Sequence, residues 1–409
     1  MNMYEIMEAL REDIEVPDIV QRKADEALEQ IRKTCAKKQD VDGKGRKMSR
    51  KGRKRLVVCI AAAILVIGGT CIAAAYQGIS RSTEKVMKIS EQQKAELESQ
   101  AAAKESVKME TGESEEVKQE KDALVTFPNV SATDKGVTIT LQDCIVDNYS
   151  VRMSLRIDGY QLPEVPEGAE FCSPELIFGL ETGDDVMNHV GGVMSSGFYN
   201  GDYTDEFGKY VKDEAVKNCQ FADGSMEYNI RIDCDTKGAY LNQPMRLEIA
   251  GFGYSTEKAG DLYTDLEGNW VLEWTLEGAD EIYEADIEDG AVGDTGATLT
   301  HVELSPVSLR VLIDFPRQEY EEELEGGGTH TTWEMPPHPC GVKLADGTSH
   351  YFVWTGGGSA RYVETDVCEI ISGGSRILDV EQVEYILFMK DYPEDGKFTD
   401  DDFYFVKIR

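Results

Sequence analysis

Histidine is scarce in this chain, with five in 409 residues and the first at position 189. No two of the nine cysteines form a close CxxC pair. A zinc site wants four ligands converging at suitable spacing. The loose group His330, His338, Cys340 and His350, near Pro336 and Pro337, has the residue types without the spacing and reads as an ordinary loop. No GxSxG elbow frames a serine nucleophile. Gly326-Gly327-Gly328 and Gly356-Gly357-Gly358 lack a following helix or Lys-Ser/Thr, so neither reads as a phosphate cradle. An extracellular hydrolase would need two facing carboxylates in a cleft, and no motif points to one. The expectation is therefore no enzymatic activity, no metal and no cofactor.

Positive charge is also in deficit. There are 42 Lys and Arg against 77 Asp and Glu, a formal net charge of −35. The deficit is uneven: residues 1–55 carry about +4 and the remainder about −39. So acidic a C-terminal part excludes nucleic acid as its partner and reads as a solvated, self-repelling surface.

The stretch Leu56 to Ala75, LVVCIAAAILVIGGTCIAAA, contains no charged residue and no proline. Twenty helical residues span about 30 Å, the hydrocarbon thickness of a bilayer. Arg46, Lys47, Arg50, Lys51, Arg53, Lys54 and Arg55 precede it, while the other flank is poor in charge. A basic collar marks the cytoplasmic side. The expectation is a transmembrane helix over 56–76, a cytoplasmic N-terminus, a single-pass location in the cell membrane and an extracellular C-terminal region.

Residues 1–36 read as two short amphipathic helices separated near Pro17. Ile6, Met7, Leu10 and Ile14, then Val20, Leu28 and Ile31, recur at helical spacing. About 36 residues are too few for a robust core of their own. These stripes pack on each other, lie on the lipid bilayer or bind a cytoplasmic protein. Residues 37–55 form a basic juxtamembrane tether. Residues 77–122, mostly Glu, Lys, Gln, Ser and Ala, read as an extracellular stalk, helical around Glu91 to Glu105.

From Ala123 the pattern changes to period two. Gly136 to Val146 and Ser150 to Ile157 alternate around Asp147-Asn148, a β-hairpin signature. Further strands are expected at Met226–Cys234, Met245–Phe252 and Trp270–Leu276, with long loops over Gly179–Lys217. The pattern then repeats. Asp134–Thr140 and Ser150–Ile157 resemble Asp294–Thr300 and Ser308–Ile313. Tyr228–Cys234 resembles Tyr362–Cys368, Met245–Ile249 resembles Val383–Leu387, and Trp270–Trp274 resembles Phe403–Lys407. Two tandem immunoglobulin-like β-sandwiches, 123–288 and 289–409, are the expectation, in a mainly β chain. Cys144, Cys172, Cys219, Cys234, Cys340 and Cys368 fall there, an even number compatible with disulfides or with buried free thiols.

The opening MNMYEIMEALREDIEVPDIVQRKADEALEQI, the basic collar, the apolar stretch, the hairpin GVTITLQDCIVDNYSVRMSLRI and the later LTHVELSPVSLRVLI together resemble a family. It is that of Firmicutes single-pass membrane proteins with a DUF4179-like ectodomain. The resemblance implies an anti-sigma-factor-like regulator: the inner helices hold an extracytoplasmic-function sigma factor and the outer domains sense an envelope ligand. The stripe Ile6, Met7, Leu10, Ile14, Val20, Leu28 and Ile31 would then sit in a groove of the sigma factor. The zinc-binding form of anti-sigma domain is excluded, because residues 1–55 have no histidine and only Cys35. The alternative reading is an envelope-binding or adhesion module without catalysis.

Overall fold

Alternation along Ser150–Asp158 and Met226–Cys234 decides the first layer. Val151, Met153, Leu155 and Ile157, with Met226, Tyr228, Ile230 and Ile232, turn one way and are buried. Arg152, Ser154 and Arg156, with Glu227, Asn229, Arg231 and Asp233, turn the other way, as successive strand residues must. In this computed structural model the described residues are 78–111, 123–165, 169–172, 176–180, 192–256, 262–323, 329–354, 358–393 and 398–409.

Two helices come first, α1 (Arg81–Val86) and α2 (Glu91–Thr111). The first sandwich follows with β1 (Val125–Thr126), β2 (Ser131–Asp134), β3 (Val137–Val146), β4 (Ser150–Asp158), β5 (Glu170–Cys172) and β6 (Leu176–Leu180). It continues with β7 (Gly192–Phe198), β8 (Asp202–Thr204), β9 (Tyr210–Lys212), β10 (Met226–Cys234), β11 (Gln243–Ser255) and β12 (Leu262–Leu276). One sheet runs β1-β3-β4-β10-β7, with β2 also on β3, and the other runs β12-β11-β6. β5 lies end to end with β6 along the same edge of β11. Leu141, Leu155, Ile230, Leu247, Phe252 and Trp270 from both sheets make one core. The indole of Trp270, wholly buried, donates to the Val137 carbonyl at 2.9 Å and so satisfies its N–H.

The second sandwich has β13 (Tyr283–Asp286), β14 (Thr298–Leu304), β15 (Ser308–Asp314), β16 (Glu319–Glu323), β17 (Thr329–Trp333) and β18 (Pro339–Leu344). Then come β19 (Ser349–His350), β20 (Ser359–Tyr362), β21 (Val367–Gly373), β22 (Val383–Met389) and β23 (Phe403–Lys407). Its sheets run β13-β14-β15-β21-β20 and β19-β18-β22-β23 over a core that includes Leu299, Val311, Ile370, Ile386 and Phe388. In both sandwiches the seven principal strands stand first-second-fifth-fourth on one sheet and seventh-sixth-third on the other. That is the strand order of a constant-type immunoglobulin sandwich. β13 belongs to the second unit, so the joint falls at residues 277–282.

Three readings change. First, among the described residues no helix is long and apolar enough to cross a membrane. α2 has the length, 21 residues, but its sequence EQQKAELESQAAAKESVKMET is charged throughout. The expected single transmembrane helix, and the single-pass cell-membrane location with its cytoplasmic and extracellular sides, are corrected on that finding. The stretch 56–76 lies outside the described residues. Second, the region read as a stalk is docked at its start: Ile79, Met87, Ile89 and Leu97 are buried in a cluster with Leu124, Val125, Ile145, Val307 and Ile377. Charge density concealed these few apolar anchors. Third, Gly179–Lys217 contains β7, β8 and β9, because glycines and serines in β7 mask its strand character.

Candidate functional site

A one-residue irregularity builds the site. Val137, Ile139 and Leu141 of β3 face the core, and simple alternation would send Asp143 there too. The register shifts between Leu141 and Asp143, so two residues of β3 oppose one of β4. An extra residue flips every later side chain to the opposite face. Cys144 and Val146 therefore enter the core, while Asp143 and Ile145 emerge on the outer face beside Ser154, Glu227 and Asn229.

The segment from Gly78 to Ile89, hereafter the strap, lies on that face. The first turn of a helix has backbone N–H groups with no helical partner, and the sheet supplies their acceptors. Asp143 Oδ2 accepts from the Ser80 amide at 2.7 Å, and its Oδ1 accepts from the Thr83 hydroxyl at 2.7 Å. Glu227 accepts from the amides of Ser82 at 2.7 Å and Arg81 at 3.2 Å. Ser80 itself caps α1, accepting from the Thr83 amide. The Arg81 guanidinium grips Asp213 with two nitrogens at 2.5 and 2.8 Å. Burial raises the Asp143 carboxyl to about 6, against hydrogen bonds from Ser80 and Thr83 that lower it. Burial likewise raises Glu227, against the hydrogen bonds from Ser82 and Arg81. Burial outweighs donation at both carboxyls, so their ionised forms are held at a cost.

The strap also reaches the second sandwich. Lys88 Nζ donates to the Phe352 carbonyl at 3.2 Å, and just past the strap Gln93 Nε2 of α2 donates to the Ile377 carbonyl at 3.2 Å. Burial, chiefly, then Arg376, lowers the Lys88 ammonium to about 8. The sandwiches meet through the β3–β4 turn. Asp147 accepts from the amides of Tyr149 and Ser150 at 3.1 and 3.0 Å, and across the joint from the Val307 amide at 3.0 Å and the Ser308 hydroxyl at 2.8 Å. Burial raises this carboxyl too, to about 6. The Tyr149 hydroxyl donates to Glu303 at 2.8 Å, and Arg310 joins Glu303 to Glu369. Burial pushes Glu303 upward, but Lys237, Tyr149 and Arg310 outweigh it and hold its carboxyl below the ordinary value. Gly373 allows the close approach: a Cβ there would stand 2.1 Å from Asp233 Oδ1.

Two cavities flank the strap. One, of about 740 Å³, is lined by Arg81, Arg156, Lys217, Asp223 and Glu227 among others. The other, of about 310 Å³, lies between α1 and strands β4, β7 and β10. Among the described residues no group of three or more His, Cys, Asp or Glu side chains is placed to hold a metal. Cys144, Cys219, Cys234, Cys340 and Cys368 are buried free thiols. Burial raises all five, Cys234 and Cys340 to about 12, so none is a ready nucleophile. Burial and Arg376 push His350 down to about 4.

The sequence-derived site residues Ile6, Met7, Leu10, Ile14, Val20, Leu28 and Ile31 lie outside the described residues. Sequence reasoning missed the acceptors Asp143 and Glu227. For Asp143 a signal existed: apolar residues at 137, 139 and 141 give way to 144 and 146, a change of phase within one strand.

No family model and no curated protein matches the chain. Among solved structures it is similar to "the conserved domain protein from Bacillus anthracis", with a TM-score of 0.33 and 11% identity, covering 70% of this chain and 90% of that one. A structure titled BspA_C_mut gives a TM-score of 0.11 and 13% identity over 58% of this chain and 80% of the other. Neither likeness is close enough to carry an argument about function.

Proposed function

We propose that the chain is a non-enzymatic signalling regulator of the anti-sigma-factor type. Its β region receives the signal, its N-terminal helices hold an extracytoplasmic-function sigma factor, and the strap joins the two. One observation carries this reading: the segment leading from the N-terminal residues into the β region is fastened through two buried carboxylates, Asp143 and Glu227, rather than left as a free linker. A fastening that is held at an electrostatic cost can be released by a modest change at the sheet. The sigma-binding role rests on the resemblance and on the stripe Ile6, Met7, Leu10, Ile14, Val20, Leu28 and Ile31.

The test is co-purification of the full chain with extracytoplasmic-function sigma factors. The wild-type chain should retain one of them, Leu10→Asp and Leu28→Asp should lose it, and Asp143→Asn should change the amount retained. Retention of none, or retention indifferent to both aspartate variants, overturns the reading.

A further inference from the structure

The smaller cavity beneath the strap has a charge imbalance that the fold does not resolve. Its wall includes Arg152 of β4, Arg231, Asn229 and Gly197 from the neighbouring strands, and Val86 and Met87 from the strap side. Arg152 and Arg231 stand directly opposite each other on the β4/β10 ladder. Like charges in such a pair repel. Arg231 has a counter-charge in Asp233 at 2.6 Å and also donates to the Gly373 carbonyl at 3.0 Å. Arg152 donates to a neutral group, the Gly374 carbonyl, and its Nε is buried with no hydrogen-bond partner. No Asp or Glu lines the cavity. Burial, chiefly, and then Arg231 lower the Arg152 guanidinium to about 9, although Asp233 and Asp147 pull it upward. A guanidinium is planar and forks readily onto a carboxylate. A volume of about 310 Å³ is at the small end for ligand pockets.

We infer that this cavity binds a small organic carboxylate, its head between Arg152 and Arg231 and its short hydrocarbon tail against Val86 and Met87. The inference goes beyond the signalling role and does not depend on it, since it concerns binding by the strap and the sheet beneath it, without the N-terminal residues. Such a ligand would touch strap and sheet together and hold them closed.

The test is calorimetric titration of the full chain with sodium butyrate, with methyl butyrate and inorganic phosphate as comparators. Butyrate should bind saturably at one site, and the uncharged ester and phosphate each at least tenfold more weakly. Arg152→Gln should weaken butyrate at least tenfold. Because that variant also loses the Gly374 contact, a second one separates binding from folding. A Cβ added at Gly197 meets nothing within 4 Å, so the first atom of Gly197→Leu enters open space and the rest of its side chain takes up the room a ligand would occupy in the cavity that Gly197 lines. This variant should melt within a few degrees of wild type and abolish butyrate binding. No saturable binding of butyrate by the wild type overturns the proposal. So does equal binding of the ester or of phosphate, or butyrate binding that survives Gly197→Leu.

Discussion

Opening of the strap is expected to depend on pH through Asp143. Its carboxyl stands at about 6 with the strap docked, against 3.8 when solvated. The docked state therefore binds the proton more tightly than the open state. Docking is strongest below about pH 4, weakens as pH rises towards 6, and is level above that. Across the whole window the change is about 3 kcal/mol, at roughly 1.4 kcal/mol per unit. Between pH 7 and pH 5 it is roughly 1.3 kcal/mol, about tenfold in the opening equilibrium. Glu227, also raised, acts in the same direction. The assay is amide hydrogen exchange by mass spectrometry on peptides covering 78–89 of the full chain, each rate divided by the intrinsic rate at that pH. Protection should rise about tenfold from pH 7 to pH 5. Asp143→Asn keeps the shape but removes the titration. At pH 7 it leaves either the Ser80 amide or the Thr83 hydroxyl without an acceptor, a cost of about 1–3 kcal/mol. Its pH profile should flatten to the share contributed by Glu227. Wild-type protection that is unchanged, or falls, between pH 7 and pH 5 refutes the account of Asp143.

Three further outcomes follow from the same structure. Arg81→Ala should lower stability by about 1–3 kcal/mol in urea unfolding, because the Arg81 side chain is 45% exposed but its partner Asp213 is only 4% exposed and would be left buried without its bidentate donor. Gly373→Ala should cost about 1–3 kcal/mol, since its Cβ would collide with Asp233 at the joint; a midpoint equal to wild type would show that the joint yields. Cys144, Cys234 and Cys340 should stay unmodified by iodoacetamide at pH 8 in the folded chain and react once it is denatured. Peptide mass spectrometry reads this, and labelling of Cys144 in the folded chain would place it nearer the surface than the structure does.

Some of this was legible in the residues. The hairpin around Asp147-Asn148 and the inward sets of β4 and β10 follow from strict alternation, which leaves one face apolar whatever the strand meets. The repeat was legible where both copies keep that alternation, as in Ser150–Ile157 and Ser308–Ile313. It was misaligned at Tyr362–Cys368, which runs from β20 into β21, whereas the counterpart of β10 is β21 alone. Alternating strands resemble one another, and only hydrogen-bonded neighbours tell which is which.

The order of residues is enough to make 123–409 β-rich, to assign the side chains of each alternating strand to a common face, and to make the chain strongly acidic. Those are local or summed properties, fixed by covalent order. It takes the folded arrangement to bring Asp143 and Glu227, far apart in the chain, onto the amides of one helical turn, and to carry Asp147 across the joint to Ser308. The same arrangement sets Arg152 against Arg231 beneath the strap. Each of these depends on strand register, and register is a property of the partner strand as much as of the residue.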